Sequence, residues 1–559
     1  MAKYMSFNMS GLQDARSKIR SGIKQLVDAV GITLGPSGRV VMYEREGGDP
    51  VITKDGVTVA RQIQLTDPFE NMAASAVRQA ASKTATIAGD GTTTATIYVG
   101  SIFEAGIKSI AAGASPQEVK RGIDYATKVI IERFKGMAKP VVDLEQIKQV
   151  AICSSNQDQE IGSVIARALD EVGRDGVVTI EEGQTMETTV SVIDGLQFPR
   201  GYYSPQFATN PESLLCEYDE ANILIIGGKL ADMKSLLHIM EDIQIKALKN
   251  APLVFIADEF SDDCLSAMLI WRIKNQRNIV AVKSPGFGDR KLQVLEDLAI
   301  ATGGTVISKD GIGLQHIAAG HLGKCKRIRI DRDTTTIFEG CGKPGDVAAR
   351  VQLLRTQLEK VVGDFDKERV QERLARLTGG IAMISVGGAT EVEVREKKDR
   401  IDDALHACKA AIEEGILPGG AVAALHASKI AAVGDASETE DFAIGVNALL
   451  KALEAPLRQI AINTGIDDGV VVDKVKEPRY RTKKPSADNL DINFGFDAVS
   501  KQYGDMIGFG IVVPAKVERV ALQNAASVAG LLLLADCLIA INKDNIGGQA
   551  AGPFPSLSV

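Results

Sequence analysis

Between Asp14 and Val30 the apolar residues Ile19, Ile23, Leu26, Val27 and Val30 recur on one face of a 3.6-residue period, and the run stops at Gly31. The spacing predicts a packed helix followed by a special turn. Val40 to Tyr43 and Pro50 to Ile63 read as short strands around Lys54-Asp55-Gly56, and helical patterns resume from Asn71 to about Lys135. Composition changes near Lys139-Pro140, after which Val177 to Glu181 and Thr188 to Ile193 alternate as strands toward Gly195. From Asn222 to Ser308 the pattern switches to apolar strands separated by helices, at Ile223 to Ile226, Leu253 to Ile256, Ile279 to Val282 and Thr305 to Ile307. This predicts an α/β domain inserted inside a mainly helical one. A hairpin is expected around Asp331 to Thr336, then a helical pair interrupted near Gly363-Asp364-Phe365-Asp366, with Gly379-Gly380 at the exit. A helix from Asp399 to Glu414 ends at Gly415, and a further strand pair is expected between about Val470 and Phe496. The Gly/Pro tail from Gly547 reads as disordered, and no solenoid repeat is visible.

With 559 residues, 45% of them hydrophobic, the chain has material for several cores. A net charge of -8 gives no footprint for nucleic acid or an anionic membrane. The seven cysteines are odd in number, scattered and never spaced C-x-x-C, which predicts reduced thiols rather than a disulfide framework or a zinc site. The start lacks a signal peptide's apolar core, and the longest apolar run, Ala525 to Ala535, is too short to span a bilayer. A soluble cytoplasmic protein is the expectation.

The chemistry concentrates at glycine-rich points. Ala88-Gly89-Asp90-Gly91-Thr92-Thr93-Thr94 packs one carboxylate and three hydroxyls into a turn before a helical run. Glycines let backbone N–H groups approach phosphate oxygens, a helix start favours negative charge, and Asp90 offers a hard ligand for Mg²⁺. The same residues also suit an ordinary turn and helix cap. Thr33-Leu34-Gly35-Pro36-Ser37-Gly38, Lys54-Asp55-Gly56 and Pro418-Gly419-Gly420 are further points that read singly as turns and jointly as the surround of one phosphate chain. Asp403 is the carboxylate placed to orient an attacking water, and Asp402 beside it competes for the inward position. No Gly-x-x-x-x-Gly-Lys-Ser/Thr segment occurs, which disfavours a P-loop NTPase.

These motifs, with Thr53-Lys54-Asp55-Gly56-Val57, Pro285-Gly286-Phe287-Gly288-Asp289-Arg290, Asp403-Ala404-Leu405-His406-Ala407 and Glu454-Ala455-Pro456-Leu457-Arg458, stand in the order found in group I (GroEL-type) chaperonins, which the chain resembles over nearly its whole length. The resemblance implies a multidomain chaperonin fold. A mainly α equatorial ATPase domain would comprise residues 1–136 and 415–559, a small α+β intermediate domain 137–194 and 381–414, and an inserted α/β apical domain 195–380. It implies ATP contacts at Thr33, Leu34, Gly35, Pro36, Lys54, Asp55, Gly56, Asp90, Gly91, Thr92, Thr93, Thr94, Gly420 and Asp497. It further implies Mg²⁺ on Asp90, K⁺ on backbone oxygens at Thr33 and Lys54, and catalytic carboxylates Asp55 and Asp403. Tyr202, Phe207, Leu237, Met240, Leu265, Leu269 and Ile270 would present an apolar surface to non-native polypeptides, although periodicity alone reads such positions as core. A homo-oligomeric ring, with seven subunits expected, a co-chaperonin lid, and hinges near Pro140, Gly195, Gly380 and Gly415 complete the expectation.

The chain departs from the family pattern at several points. Ile511-Val512-Val513-Pro514 carries Val513 where the family has a ribose-binding aspartate, Asp497 replaces an asparagine, and Ala421 replaces a loop glycine. Gln206 and Trp271 are further replacements in the apical segment, and Lys474 to Lys484 is a basic insertion. The reading that follows is an ATP-driven folding machine, with a ring-forming holdase of weak ATP turnover as the alternative. A small-molecule kinase is a third and poorer reading, since no acceptor site suggests itself.

Overall fold

The computed structural model describes residues 4–6, 12–44, 50–173, 176–183, 185–210, 213–286, 291–308, 314–360, 370, 373–374, 376–430, 439–477 and 491–541. Phe287 to Arg290, the interruption at 363–366, most of the basic insertion and the tail from Gly547 lie outside them. The chain divides into two compact units, one of residues 1–166 with 391–559 and one of 167–390. The expected intermediate segments do not separate as a unit of their own.

The first unit is helical. Helix Leu12–Gly31 buries Ile19, Ile23, Leu26 and Val30, the positions its period selects, while Val27 is half-buried. Around them pack helices Pro68–Ala88, Thr92–Ala111, Pro116–Met137, Glu440–Ala452 and Ala515–Leu533. Their shared core includes Tyr98, Ile102, Phe103, Ile123, Phe134 and Leu522, all almost fully buried.

Two segments expected as strands are helices. Strand Val51–Thr53 ends early, and Gly56–Gln62 is helical because both carboxylate oxygens of Asp55 cap it. Asp468–Lys476 is likewise helical behind Asp467, and the strand pair lies further on, at Phe494–Asp497 and Gln502–Asp505.

The second unit contains a ten-stranded mixed sheet. Ile279–Lys283, Leu253–Ala257 and Asn222–Ile226 are parallel neighbours, and Val306–Ile307 pairs in parallel with Asn222–Ile226. Nearly all their residues are buried, as parallel strands covered on both faces require. The hairpin of Gly323–Ile330 and Thr335–Gly340 continues the sheet to Thr189–Phe198, Gly380–Val386 and Val177–Glu182. Gly195 and Gly380 therefore sit inside paired strands, where Gly195 is packed against Ile337 and Ile381.

Candidate functional site

In the first unit, helix Leu12–Gly31 ends as Thr33 N and Leu34 N each bond back at 3.1 Å to Val30 O and Gly31 O. Asn463 Nδ2 donates to the carbonyls of Gly31 and Leu34 at 3.1 and 2.9 Å, which fixes the turn from outside. Thr33 Oγ1 donates to Val30 O at 2.8 Å and lies 3.5 Å from Thr93 Oγ1, so two of the glycine-rich points meet. Asp55 brings a third. Its Oδ1 accepts from Val57 N at 3.0 Å and its Oδ2 from Thr58 N at 2.8 Å. A Cβ on Gly56 would collide with Thr93 Oγ1, so glycine is what lets this helix start approach the threonine turn.

Asp90 occupies the junction between helices Pro68–Ala88 and Thr92–Ala111. Gly89 and Gly91 flank it at φ +75° and +81°, conformations that turn the chain sharply between two helices. Ser154 Oγ donates to Asp90 Oδ2 at 2.8 Å and Gly91 N donates to Oδ1. The N-cap residue of helix Thr92–Ala111 is Gly91, which has no side chain to cap it, so among the described residues the first-turn N–H groups face the cavity without a side-chain cap from that position. Helix Glu391–Glu414 adds Asp399, Arg400 and Asp403, while Asp402 points away as an exposed residue. Strands Ile416–Pro418 and Val512–Pro514 pair with Leu417 opposite Val513, and deliver Gly420 and Val513 to the same place.

These elements line one cavity of about 280 Å³. Every residue expected at the nucleotide lines it: Thr33, Leu34, Gly35, Pro36, Lys54, Asp55, Gly56, Asp90, Gly91, Thr92, Thr93, Thr94, Asp403, Gly420 and Asp497. Asp497 has its carboxylate occupied by the turn it starts, accepting from Val499 N at 2.9 Å and Ser500 N at 3.3 Å. Ile460, Phe496, Met506 and Val513 make another part of the lining apolar. Ala421, also in the wall, has φ +60°, a left-handed conformation that glycine would adopt without strain.

The electrostatics are lopsided. Burial first, and then the charges of Asp90, Asp55, Asp402 and Asp399, push the Asp403 carboxyl well above its ordinary range. Burial and Asp55 push Asp399 up to about 6. Asp90 is raised by burial against the opposing hydrogen bond from Ser154. Lys54, also in the lining, is lowered by burial and then by Arg400. Arg400 is engaged at 3.0 Å by Asp158 and by Glu396. A cavity with several mutually repelling carboxylates suits a divalent cation. Among the described residues no three His, Cys, Asp or Glu side chains converge to hold a metal alone. An ion at Asp90 would thus complete its shell with water or ligand oxygens, as Mg²⁺ does.

Sequence reasoning missed Asp399, Ser154 and Glu518 in the lining. Asp399 stands one helical turn before Asp403, a spacing that placed both on one face.

In the second unit the expected apolar surface divides. Tyr202, Phe207 and Met240 are buried at 4%, 0% and 3% exposure in the core under the sheet, so their side chains are not presented to solvent. Leu265 and Leu269 are half-buried against that core. Leu237 and Ile270 are exposed, at 40% and 49%, and Ile273 joins them at 58%. Helices Met233–His238 and Asp262–Lys274, which carry these three, pack against each other.

All seven cysteines are free thiols. Among the described residues no helix is long and apolar enough to cross a membrane.

A family model described as the TCP-1/cpn60 chaperonin family matches residues 26–543. Among solved structures, the chaperonin gp146 from the bacteriophage EL 2 (Pseudomonas aeruginosa), crystallised in presence of ATP-BeFx, shares the fold at 22% identity. Its crystal form II superposes with a TM-score of 0.71 over 95% of this chain and 98% of that chain. Crystal form I gives 0.63 at the same identity and coverage. The order of motifs, the helical unit with its acid-lined cavity and the inserted mixed sheet converge with a family match over almost the full length: the chain belongs to the TCP-1/cpn60 chaperonin family.

Proposed function

We propose that the protein is an ATP-driven chaperonin that captures non-native polypeptides and releases them for folding inside a homo-oligomeric ring. One observation carries the nucleotide half of this reading. Turn residues from three distant stretches, an uncapped helix start and an acidic cluster line a single cavity. The uncapped N–H groups of Thr92 to Thr94 bind phosphate oxygens, and the apolar lining at Ile460, Phe496 and Val513 takes the base and sugar. Asp90 holds Mg²⁺, which when bound offsets phosphate charge. Asp403 accepts a proton from the attacking water. Asp55, with both oxygens committed to its helix cap, acts through its charge and its placement of the Gly56–Thr93 contact. Lys54 Nζ donates to Pro36 O at 3.4 Å, so K⁺ on the backbone oxygens of Thr33 and Lys54 would share this rim with an ammonium. Comparing turnover in potassium and sodium buffers tests that ion.

For the capture half, Leu237, Ile270 and Ile273 form the exposed apolar surface on paired helices. We assign residues 1–136 and 415–559 to the ATPase domain, 137–194 and 381–414 to the intermediate domain and 195–380 to the apical domain. A ring of seven subunits, one or two rings, a co-chaperonin lid and a cytoplasmic location belong to the same reading.

Val513 favours one rival, a holdase with weak ATP turnover, because it offers no acceptor to a ribose hydroxyl. Phosphate release on adding ATP to the purified protein separates the two: sustained turnover supports the folding machine, and binding without turnover supports the holdase.

A further inference from the structure

Helix Ala515–Leu533 packs along both helices that flank the Asp90–Gly91 turn, and it is tied to each by one buried polar contact. Asn524 Nδ2 donates to Thr84 Oγ1 at 3.0 Å on the helix before the turn. The Tyr98 hydroxyl donates to Glu518 Oε2 at 3.4 Å on the helix after it. Val517, next to Glu518, presses on the turn itself, since a Cβ at Gly91 would come within 2.6 Å of Val517 Cγ1. Glu518 also lines the cavity, whereas Tyr98 is fully buried.

A carboxyl buried against a single tyrosine hydroxyl is costly, and an apolar pair of similar volume would pack at least as well. The contact returns a fixed geometry. We propose that Glu518 and Tyr98 are positioning residues that hold the phosphate-facing turn at Asp90–Gly91 in register with helix Ala515–Leu533. The inference rests on the nucleotide reading above.

Burial pushes Glu518 up to about 7, with the Tyr98 hydrogen bond opposing and the charge of Asp90 adding to the shift. Helix Glu391–Glu414, which packs on this helix, also carries His406, which lies against Gly89 and whose charge lowers Asp90, and Lys409, which burial holds low. Lys516 and Arg519 meet Glu413 and Glu414 of helix Glu391–Glu414, and Lys120 of helix Pro116–Met137 meets Asp124. Losing the proton places an uncompensated negative charge beside Asp90, which opposes an anionic ligand and favours its binding at lower pH.

Calorimetric titration of the full chain with ADP and Mg²⁺ from pH 6 to 8 tests this, using wild type, Glu518→Gln and Tyr98→Phe. Wild-type affinity is expected to fall as pH rises through about 7. Glu518→Gln loses that part of the fall, while the part due to the other titratable groups around the cavity persists. Tyr98→Phe weakens binding roughly three- to tenfold. A wild-type pH profile in Glu518→Gln overturns the proposal, even if Tyr98→Phe proves unstable. Absence of ADP binding to wild type would instead refute the nucleotide reading on which it rests.

Discussion

Asp399 and Asp403 lie one turn apart on helix Glu391–Glu414, and both face the cavity that holds Asp90. The charge of Asp399 adds to burial and to the charges of Asp90, Asp55 and Asp402 in raising the proton affinity of Asp403. A base that must lose its proton before accepting one from water then works better as pH rises. Replacing Asp399 by Asn removes one charge that holds Asp403 up, so the acidic limb of the ATPase pH profile should move to lower pH, by up to about one unit. An unmoved limb would show that Asp399 does not reach the base.

The same substitution has a consequence for stability. Partial burial and the charge of Asp55 raise the folded Asp399 carboxyl to about 6, although its side chain still meets solvent. Against about 4 in the unfolded chain, the folded chain binds more protons between those values and loses stability as pH rises through them. Asp399→Asn should therefore be more resistant to urea than wild type at pH 7 and nearly equal to it at pH 4. Equal midpoints at both pH values would contradict the placement.

Val513 sits opposite Leu417 and puts an apolar side chain in the cavity wall, and Asp497 has its carboxylate oxygens occupied by Val499 and Ser500. Val513→Asp should gain about 1.5 to 3 kcal/mol of nucleotide binding, a roughly tenfold to hundredfold lower Kd, through charged hydrogen bonds to ribose. Calorimetry with an ATP analogue measures it, and equal affinities would show that Val513 carries no penalty.

Ala421 holds φ +60° in the loop after strand Ile416–Pro418. A left-handed alanine costs about 1 to 2 kcal/mol, part of which glycine returns as extra unfolded-state entropy. Ala421→Gly should raise stability by about 0.5 to 1 kcal/mol, read as a higher urea midpoint for the first unit. A lower midpoint would mean that the alanine methyl contributes more packing than its backbone loses.

Leu237 and Ile270 are exposed where Met240, one turn from Leu237, is buried. Serine at Leu237 or Ile270 should weaken capture of an unfolded client while leaving thermal unfolding nearly unchanged. Serine at Met240 should cost about 2 to 5 kcal/mol, as core truncations do. If all three variants melt like wild type and bind clients normally, the exposed pair is not the capture surface.

Much of this was legible in the sequence because one physical rule dominated locally. The buried face of helix Leu12–Gly31 follows its period, and the parallel strands of the inserted sheet are continuous apolar runs between helices. The two segments misread as strands share a cause. Val57-Thr58-Val59 and Val470-Val471-Val472 are β-branched runs, and each follows an aspartate whose carboxylate caps a helix. The cap outweighed the propensity. At the site, glycine and aspartate spacing pointed to the turns, but nothing along the chain shows that Asn463 holds the Gly31–Leu34 turn or that Ser154 meets Asp90. Glu518 was illegible for another reason: an acid in the first turn of a helix ordinarily faces water, and here it is buried against Tyr98. Tyr202, Phe207 and Met240 show the limit of carrying a surface across a resemblance, since only packing tells an exposed apolar residue from a buried one.

The central claim is that this cavity hydrolyses ATP and that Asp403 serves the water rather than the nucleotide. The direct measurement is phosphate release by wild type and Asp403→Ala at saturating ATP with Mg²⁺, with ATP retention on each protein measured alongside. Retention should be equal, and release by Asp403→Ala should be slower by roughly 10² or more. Near-normal release from Asp403→Ala, or no release from wild type, would contradict the account.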